Sequence, residues 1–304
     1  MKKNDWFRFV GFVLMISLAC TTADQQKQTY LKEIEDWHQK RNERLRQPKS
    51  WLSLAGLFWL KTGENSFGSD RSNDIIFPPQ KAPAKMGRFI LKDSKVFVEI
   101  NPGIKVLHQG KIISSIEMQD DQSGAPTELA YGPLRWIVIK REDRFAVRLW
   151  DTEHDQLKQF KGIERFPVDE KWRVEAQLEV FDSPWKLPVP TVLGTISEES
   201  TPGVLIFQIE GKTYRLLPIA ESVKSPLFII FADKTNGLET YGAGRFLYAD
   251  PPDENGKTIL DFNKAYNPPC VFSPYATCPL PPDENYLPLR VTAGEKNYAG
   301  YHHK

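Results

Sequence analysis

The residues best equipped for chemistry gather late in the chain. Asp261 and Asn263 alternate with Leu260 and Phe262, so both polar groups leave one face of a strand. Glu295 follows in Ala-Gly-Glu-Lys. If folding brings the two carboxylates together, they could work as general acid and base. Upstream, Arg245 could hold an anion in a bidentate fork. It closes the run Phe231-Ala-Asp-Lys-Thr-Asn-Gly-Leu-Glu-Thr-Tyr-Gly-Ala-Gly-Arg. In that run Asp233, Thr235, Asn236 and Gly237 suit a turn, because Asx and Thr side chains bond nearby backbone N–H groups. Gly242 and Gly244 permit close approach of the backbone. The bland alternatives are a decorated hairpin in which Arg245 pairs with Asp233 or Glu239, and a buried hydrogen-bond network that fixes a loop.

That loop is the least regular part of the chain. Thr258 to Lys296 holds two cysteines and seven prolines. Pro268-Pro269, just after Tyr266-Asn267, force extended geometry and withhold donors. Long structureless segments inside compact domains are uncommon and tend to be functional. Other chemistries find less support. A zinc site needs about four N or S ligands, and His38, His108, His154, His302 and His303 show no ligand spacing with Cys270 and Cys278. His38 reads as a surface histidine. A cysteine nucleophile at Cys270 or Cys278 would need a histidine base; none is nearby in sequence, and oxidation would disarm the thiol. Asp233, Asn236 and Glu239 match no standard calcium loop. There is no nucleophile elbow, P-loop or dinucleotide fingerprint. Neither metal nor cofactor is expected.

The elements that must position these residues follow from the rest of the 304-residue chain. Composition is 40% hydrophobic and 12% aromatic, enough for a substantial core, and the formal charge is +1 with signs interspersed. A nucleic-acid partner is not expected from that balance. Lys2, Lys3 and Arg8 precede an apolar run, Phe9–Ala19, too short for a resident membrane helix. The run ends Ser17-Leu18-Ala19-Cys20, which is similar to a lipobox. The expectation is a signal peptide (1–19), lipidation of Cys20, and a short polar tether (20–28). The chain is then an exported bacterial cell-envelope lipoprotein, periplasmic or on the outer surface, whose first partner is the membrane. In an oxidising compartment Cys270 and Cys278, with seven residues between them, are disulfide candidates. Such a bridge contributes about 2–3 kcal/mol at most.

Tyr30, Ile34, Trp37, Arg41 and Leu45 fall at helical spacing, which predicts a helix from about Tyr30 to Arg46, stopped by Pro48. Trp51–Leu60 is a buried strand or short buried helix. Leu134–Lys140 and Phe145–Trp150 flank a charged turn, and Val204–Ile209 and Thr213–Leu217 flank Glu210-Gly211-Lys212; both read as hairpins. Trp172–Val180 alternates apolar and charged residues, a sheet with one wet face. Pro184–Pro190 reads as a link, and Leu227–Ala232 as a central strand. The fold class is mainly β, an antiparallel β-sandwich or barrel with one N-terminal helix. One domain over 29–304 is expected, with a possible division into two β subdomains near 160–190.

The stretch LDFNKAYNPPCVFSPYATCPLPPDENYLPLRVTAGEK closely resembles the C-terminal hallmark of a bacterial and archaeal family, domain of unknown function 1684. FADKTNGLETYGAGRFL and WLSLAGLFWLKTGENSFGS resemble it too, so the likeness covers about residues 37 to 300. Lys264 stands where Arg is more usual and Val271 where Ala is. The resemblance implies a mostly β protein and supplies no activity. It marks Asp233, Thr240, Tyr241, Arg245, Asp261, Asn263, Tyr266, Asn267, Cys270, Cys278, Asn285 and Glu295 as the family's characteristic positions. Apart from the two cysteines, these are the candidate ligand-binding residues. The leading expectation is an exported protein that binds a small polar or carbohydrate-like ligand. The alternatives are a hydrolase using Asp261 and Glu295 as acid and base with Arg245 as anion stabiliser, and a structural envelope lipoprotein.

Overall fold

A computed structural model describes residues 5–300, with side chains from Asp24 onward apart from Pro184. Cys20 and the His302-His303 pair lie outside the described side chains. Helix α1 (Asp5–Leu45) includes the stretch read as a tether. Its inner stripe is Ile34, His38, Arg41 and Leu45, all buried, at the spacing that puts residues on one helix face. His38 is therefore not a surface residue. It lies between Ile34 and Arg41 on the inner stripe, and burial beside Arg165 and Arg41 pulls its pKa down to about 4.

Eleven strands follow: β1 (Leu54–Trp59), β2 (Gly63–Gly68), β3 (Ile75–Ile76), β4 (Gly87–Lys92), β5 (Lys95–Ile100), β6 (Val106–His108), β7 (Lys111–Ile113), β8 (Ser115–Met118), β9 (Leu129–Tyr131), β10 (Leu134–Arg141) and β11 (Arg144–Asp151). They build a six-stranded sheet, β1-β11-β10-β9-β6-β7, and a five-stranded one, β3-β2-β4-β5-β8. Phe67, Phe89 and Val98 from one sheet and Trp136 and Val147 from the other share a single core. Trp51–Leu60 divides between both expectations. Trp51–Ser53 make a tight helical turn capped by Ser50, and β1 starts at Leu54.

After a short helix, α2 (Asp155–Gln159), come β12 (Arg173–Pro190), β13 (Ile196–Ile209), β14 (Lys212–Leu216), β15 (Leu227–Asp233), β16 (Arg245–Ala249), β17 (Lys257–Asp261) and β18 (Tyr286–Leu287). They form the sheets β14-β13-β12-β17 and β16-β15-β18. Ala176, Leu205, Ile229, Leu247 and Leu260 lie in their common core. Strand β15 is buried on both faces: Ile229 and Phe231 enter this core, while Ile230 packs with Leu187, Val189 and Phe246. That explains an apolar run without alternation.

The protein is mainly β. Three details depart from expectation. None of the four strand orders closes on itself, so the described residues form no barrel, and two strand pairs, β2–β3 and β15–β18, are parallel. Among the described residues there are two α-helices rather than one. The second is only five residues long, started by the His154 ring accepting from the Gln156 N–H, and leaves no helical period in the sequence. Finally, Pro184–Pro190 belong to β12. Beyond Gln177 that strand pairs with β13 alone, so its prolines interrupt no second ladder.

Candidate functional site

The sequence-predicted polar residues form two knots. In the first, Arg245 opens β16 and has no exposed surface. Its Nη2 donates to Asp233 Oδ2 at 2.7 Å and to the Val291 carbonyl at 2.9 Å, and its Nη1 donates to the Ala293 carbonyl. Asp233 ends β15, and its Oδ1 accepts from both the N–H and the hydroxyl of Thr235. Burial pulls the Arg245 guanidinium below its usual range, and Asp233 opposes that shift. Gly244 sits at φ 88°, and a Cβ there would stand 2.6 Å from the Phe231 carbonyl. Only glycine lets Arg245 start the strand in that place. Thr240 shares its hydroxyl with Thr235 at 2.9 Å. Asn285 bonds three backbone groups: it accepts from the Leu217 N–H and donates to the carbonyls of Leu217 and Ile230.

The second knot ties α1 to the C-terminal loop. Glu295 is fully buried. It accepts from the Asn267 N–H at 2.7 Å and from Arg41 Nε at 3.2 Å, while Arg41 Nη2 donates to the Asn267 carbonyl at 3.0 Å. Burial pushes the Glu295 carboxyl above the usual range, with Arg41 opposing. Asn267 Nδ2 donates to the Lys296 carbonyl at 2.7 Å. Asp261 Oδ1 accepts from the Tyr30 hydroxyl at 2.9 Å and from Asn263, whose amide also binds Asp169. The other Asp261 oxygen is buried without a hydrogen-bond partner, and burial raises this carboxyl too. The Cys270–Cys278 disulfide is formed, with Cα atoms 6.2 Å apart, and Tyr241 packs beside it.

An open cavity lies elsewhere. A pocket of about 710 Å³ is bounded by the end of α1, the connector after it, β11, β15–β16 and residues 264–269. That volume falls in the range of small-molecule sites. Of the predicted ligand-binding residues, Tyr266 and Asn267 line it; the others do not. Trp37, Trp51 and Trp150 supply one part of its wall, and Phe228, Phe246, Tyr248 and Tyr266 another. The Tyr248 and Tyr266 rings are parallel within 9°, with centroids 6.3 Å apart. Phe228 stacks behind Tyr248 at 4.9 Å, and the Arg41 guanidinium lies 4.9 Å over Tyr266. Burial raises the Tyr266 pKa, keeping its hydroxyl protonated.

Arg41, Arg44, Lys49 and Lys264 also line the pocket, and no Asp or Glu does. Three of these cations have carboxylate partners: Arg41 with Glu295, Lys49 with Glu128 at 2.5 Å, and Lys264 with Glu33 at 2.6 Å. Arg44 makes no ion pair or side-chain hydrogen bond among the described residues, and it is exposed. Arg148, 7% exposed, lies behind Trp51, 5.7 Å from its ring, where burial and Arg141 pull its pKa to about 10. Among the described residues, no three His, Cys, Asp or Glu side chains gather as metal ligands.

Sequence reasoning missed Arg44, Lys49, Trp150 and Tyr248 as site residues. Arg41 carried a signal, since a charged residue stood in an otherwise apolar helical stripe. The others did not, because their segments meet only in three dimensions.

The fold and the pocket define a mainly β protein with a cationic, aromatic-walled cleft beside its N-terminal helix. Residues 158–296 match the family described as "Protein of unknown function (DUF1684)". The match covers the first polar knot, the C-terminal side of the second and about half of the pocket, and leaves out α1, with Tyr30 and Arg41, and the first two sheets. The chain is also similar to an uncharacterized protein of Haloarcula marismortui solved by solution NMR. The two are 31% identical over 47% of this chain and 80% of that one, with a TM-score of 0.39. No curated protein matches the chain significantly.

Proposed function

We propose that this is an exported, lipid-anchored binding protein whose pocket takes a small organic anion. The observation that carries the reading is Arg44: an exposed guanidinium with no carboxylate partner among the described residues, in a pocket lined by seven aromatic residues and no acid. Guanidinium is well suited to fork around a carboxylate or phosphate. Aromatic walls supply apolar contact area and exclude water around the contact. The small polar ligand expected from sequence is thereby given a charge and a place. Asp261, Glu295 and Arg245, the trio of the hydrolase alternative, are each engaged inside the fold, so the pocket and not the trio supports this reading.

Export rests on the basic start, the apolar run Phe9–Ala19 and Cys20, and the disulfide suits an oxidising compartment. Palmitate labelling that disappears in Cys20→Ala supports the anchor; labelling that persists removes it. The pocket is tested by thermal-shift measurements against a panel of carboxylates and organic phosphates, on the wild type and on Arg44→Glu. Anions that stabilise the wild type should leave the variant's Tm unmoved, since binding stabilises only the state that binds. Equal shifts in both proteins reject the pocket as the site.

A further inference from the structure

We infer that the ligand is an aromatic or otherwise planar apolar monocarboxylate; this rests on the anion-binding reading above. Charge counting gives the valence. Of the four cations on the wall, Arg41, Lys49 and Lys264 are already matched one to one by Glu295, Glu128 and Glu33. Arg44 alone is left, so the lining offers one uncompensated positive charge. Arg148 adds positive potential from behind Trp51 but does not line the cavity. A dianion such as a phosphate monoester would bring a second negative charge with no free partner.

Hydrogen-bonding capacity gives the body of the ligand. The charged lining groups are donors only, since Arg and Lys carry no acceptor. The amide of Asn267 is committed to Lys296 through its nitrogen, and its oxygen is buried. Ser50 Oγ accepts from the Leu52 N–H. A sugar presents several hydroxyl donors, and this lining gives them few acceptors. A planar apolar ring needs none. Tyr248, 55% exposed and backed by Phe228, presents a ring face on which such a body can stack. Arg44, Tyr248 and Tyr266 line the same pocket, so anion anchor and ring platform face one cavity.

The test is isothermal titration calorimetry on the full-length protein with four probes: 2-naphthoate, its uncharged alcohol 2-naphthylmethanol, glucuronate and adenosine monophosphate. The expected result is that 2-naphthoate binds about tenfold or more tightly than the alcohol, as one charge-assisted pair implies. In Arg44→Ala the acid should fall to the alcohol's affinity. Tyr248→Ala should weaken acid and alcohol by a similar factor. Both residues are exposed, so these variants should fold. If glucuronate or adenosine monophosphate binds in an Arg44-dependent way and 2-naphthoate does not, the ligand class is wrong and the anion pocket stands. If no probe shows Arg44-dependent binding, both readings fall.

Discussion

Arg245 and Arg44 carry the same side chain and lie in opposite circumstances. Arg245 is fully buried, with Asp233 and the carbonyls of Val291 and Ala293 around it. Arg44 is exposed and lines an aromatic pocket, with no side-chain partner among the described residues. The buried knot closes the C-terminal loop onto β15 and β16. Its charge is matched by Asp233 inside the chain, and the one nitrogen left without a hydrogen-bond partner, Arg245 Nε, is itself buried out of a ligand's reach. The pocket is the reverse: its walls are assembled and one charge is unmatched. Polar residues gathered in sequence therefore mark where this fold is locked, and the unmatched group marks where it is open.

The comparison breaks first at Arg245. Arg245→Ala leaves Asp233 buried without its counter-charge, and should cost about 3–5 kcal/mol in urea unfolding. Replacing the pair together, Asp233→Leu with Arg245→Met, should cost less than the single change, because no charge is left stranded. A loss below about 1 kcal/mol for Arg245→Ala, the size of an exposed pair, would mean the knot is not a lock. Next in size is the disulfide. Cys270→Ser with Cys278→Ser should lower stability by about 2–3 kcal/mol through the freed loop of the unfolded chain. Reductant should have the same effect on the wild type and none on the variant.

A smaller effect sharpens the energetics of the second knot. Burial holds the Asp261 carboxyl above its ordinary value in the folded state, so the folded protein keeps that proton more tightly than the unfolded chain does. The group's contribution to stability is therefore greatest at low pH, and is lost as pH rises through the ordinary carboxylate value toward the raised one. Asp261→Asn removes this titration. The variant should gain on the wild type as pH rises above the ordinary carboxylate value of about 4, measured by unfolding at each pH. The opposite slope would show that the bonds from Tyr30 and Asn263 outweigh burial.

Much of this was legible in the sequence where the code is local. Trp172–Val180 alternates because one face of β12 is wet, and Glu210-Gly211 turns because both residues take positive φ, 51° and 76°. The pairing of Arg245 was also present as one of two options, Asp233 or Glu239, and Asp233 is the partner; the burial of Arg245 was not. Pro184–Pro190 misled because proline argues against a strand only where a second ladder needs its donor. The pocket was hidden for a different reason. Trp37, Trp150, Tyr248 and Tyr266 belong to four segments that pack side by side, and nothing in any one of them announces the others. Arg41 was the exception. A guanidinium on a buried stripe requires a buried acid, and Glu295 is that acid.

The smallest expected change in stability is also the one that most sharply separates the two regions. Arg44→Ala removes an exposed side chain without a partner, so unfolding should shift by no more than about 0.5 kcal/mol, against several for Arg245→Ala. Affinity should move the other way. Arg44→Ala should abolish the preference for an acid over its neutral analogue. Each residue thus acts as the control for the other. A protein that loses anion binding while keeping its Tm has lost a binding group and not its fold. If Arg44→Ala instead destabilises the chain by as much as an internal pair would, Arg44 belongs with Arg245 among the locks, and the pocket has no free charge to offer.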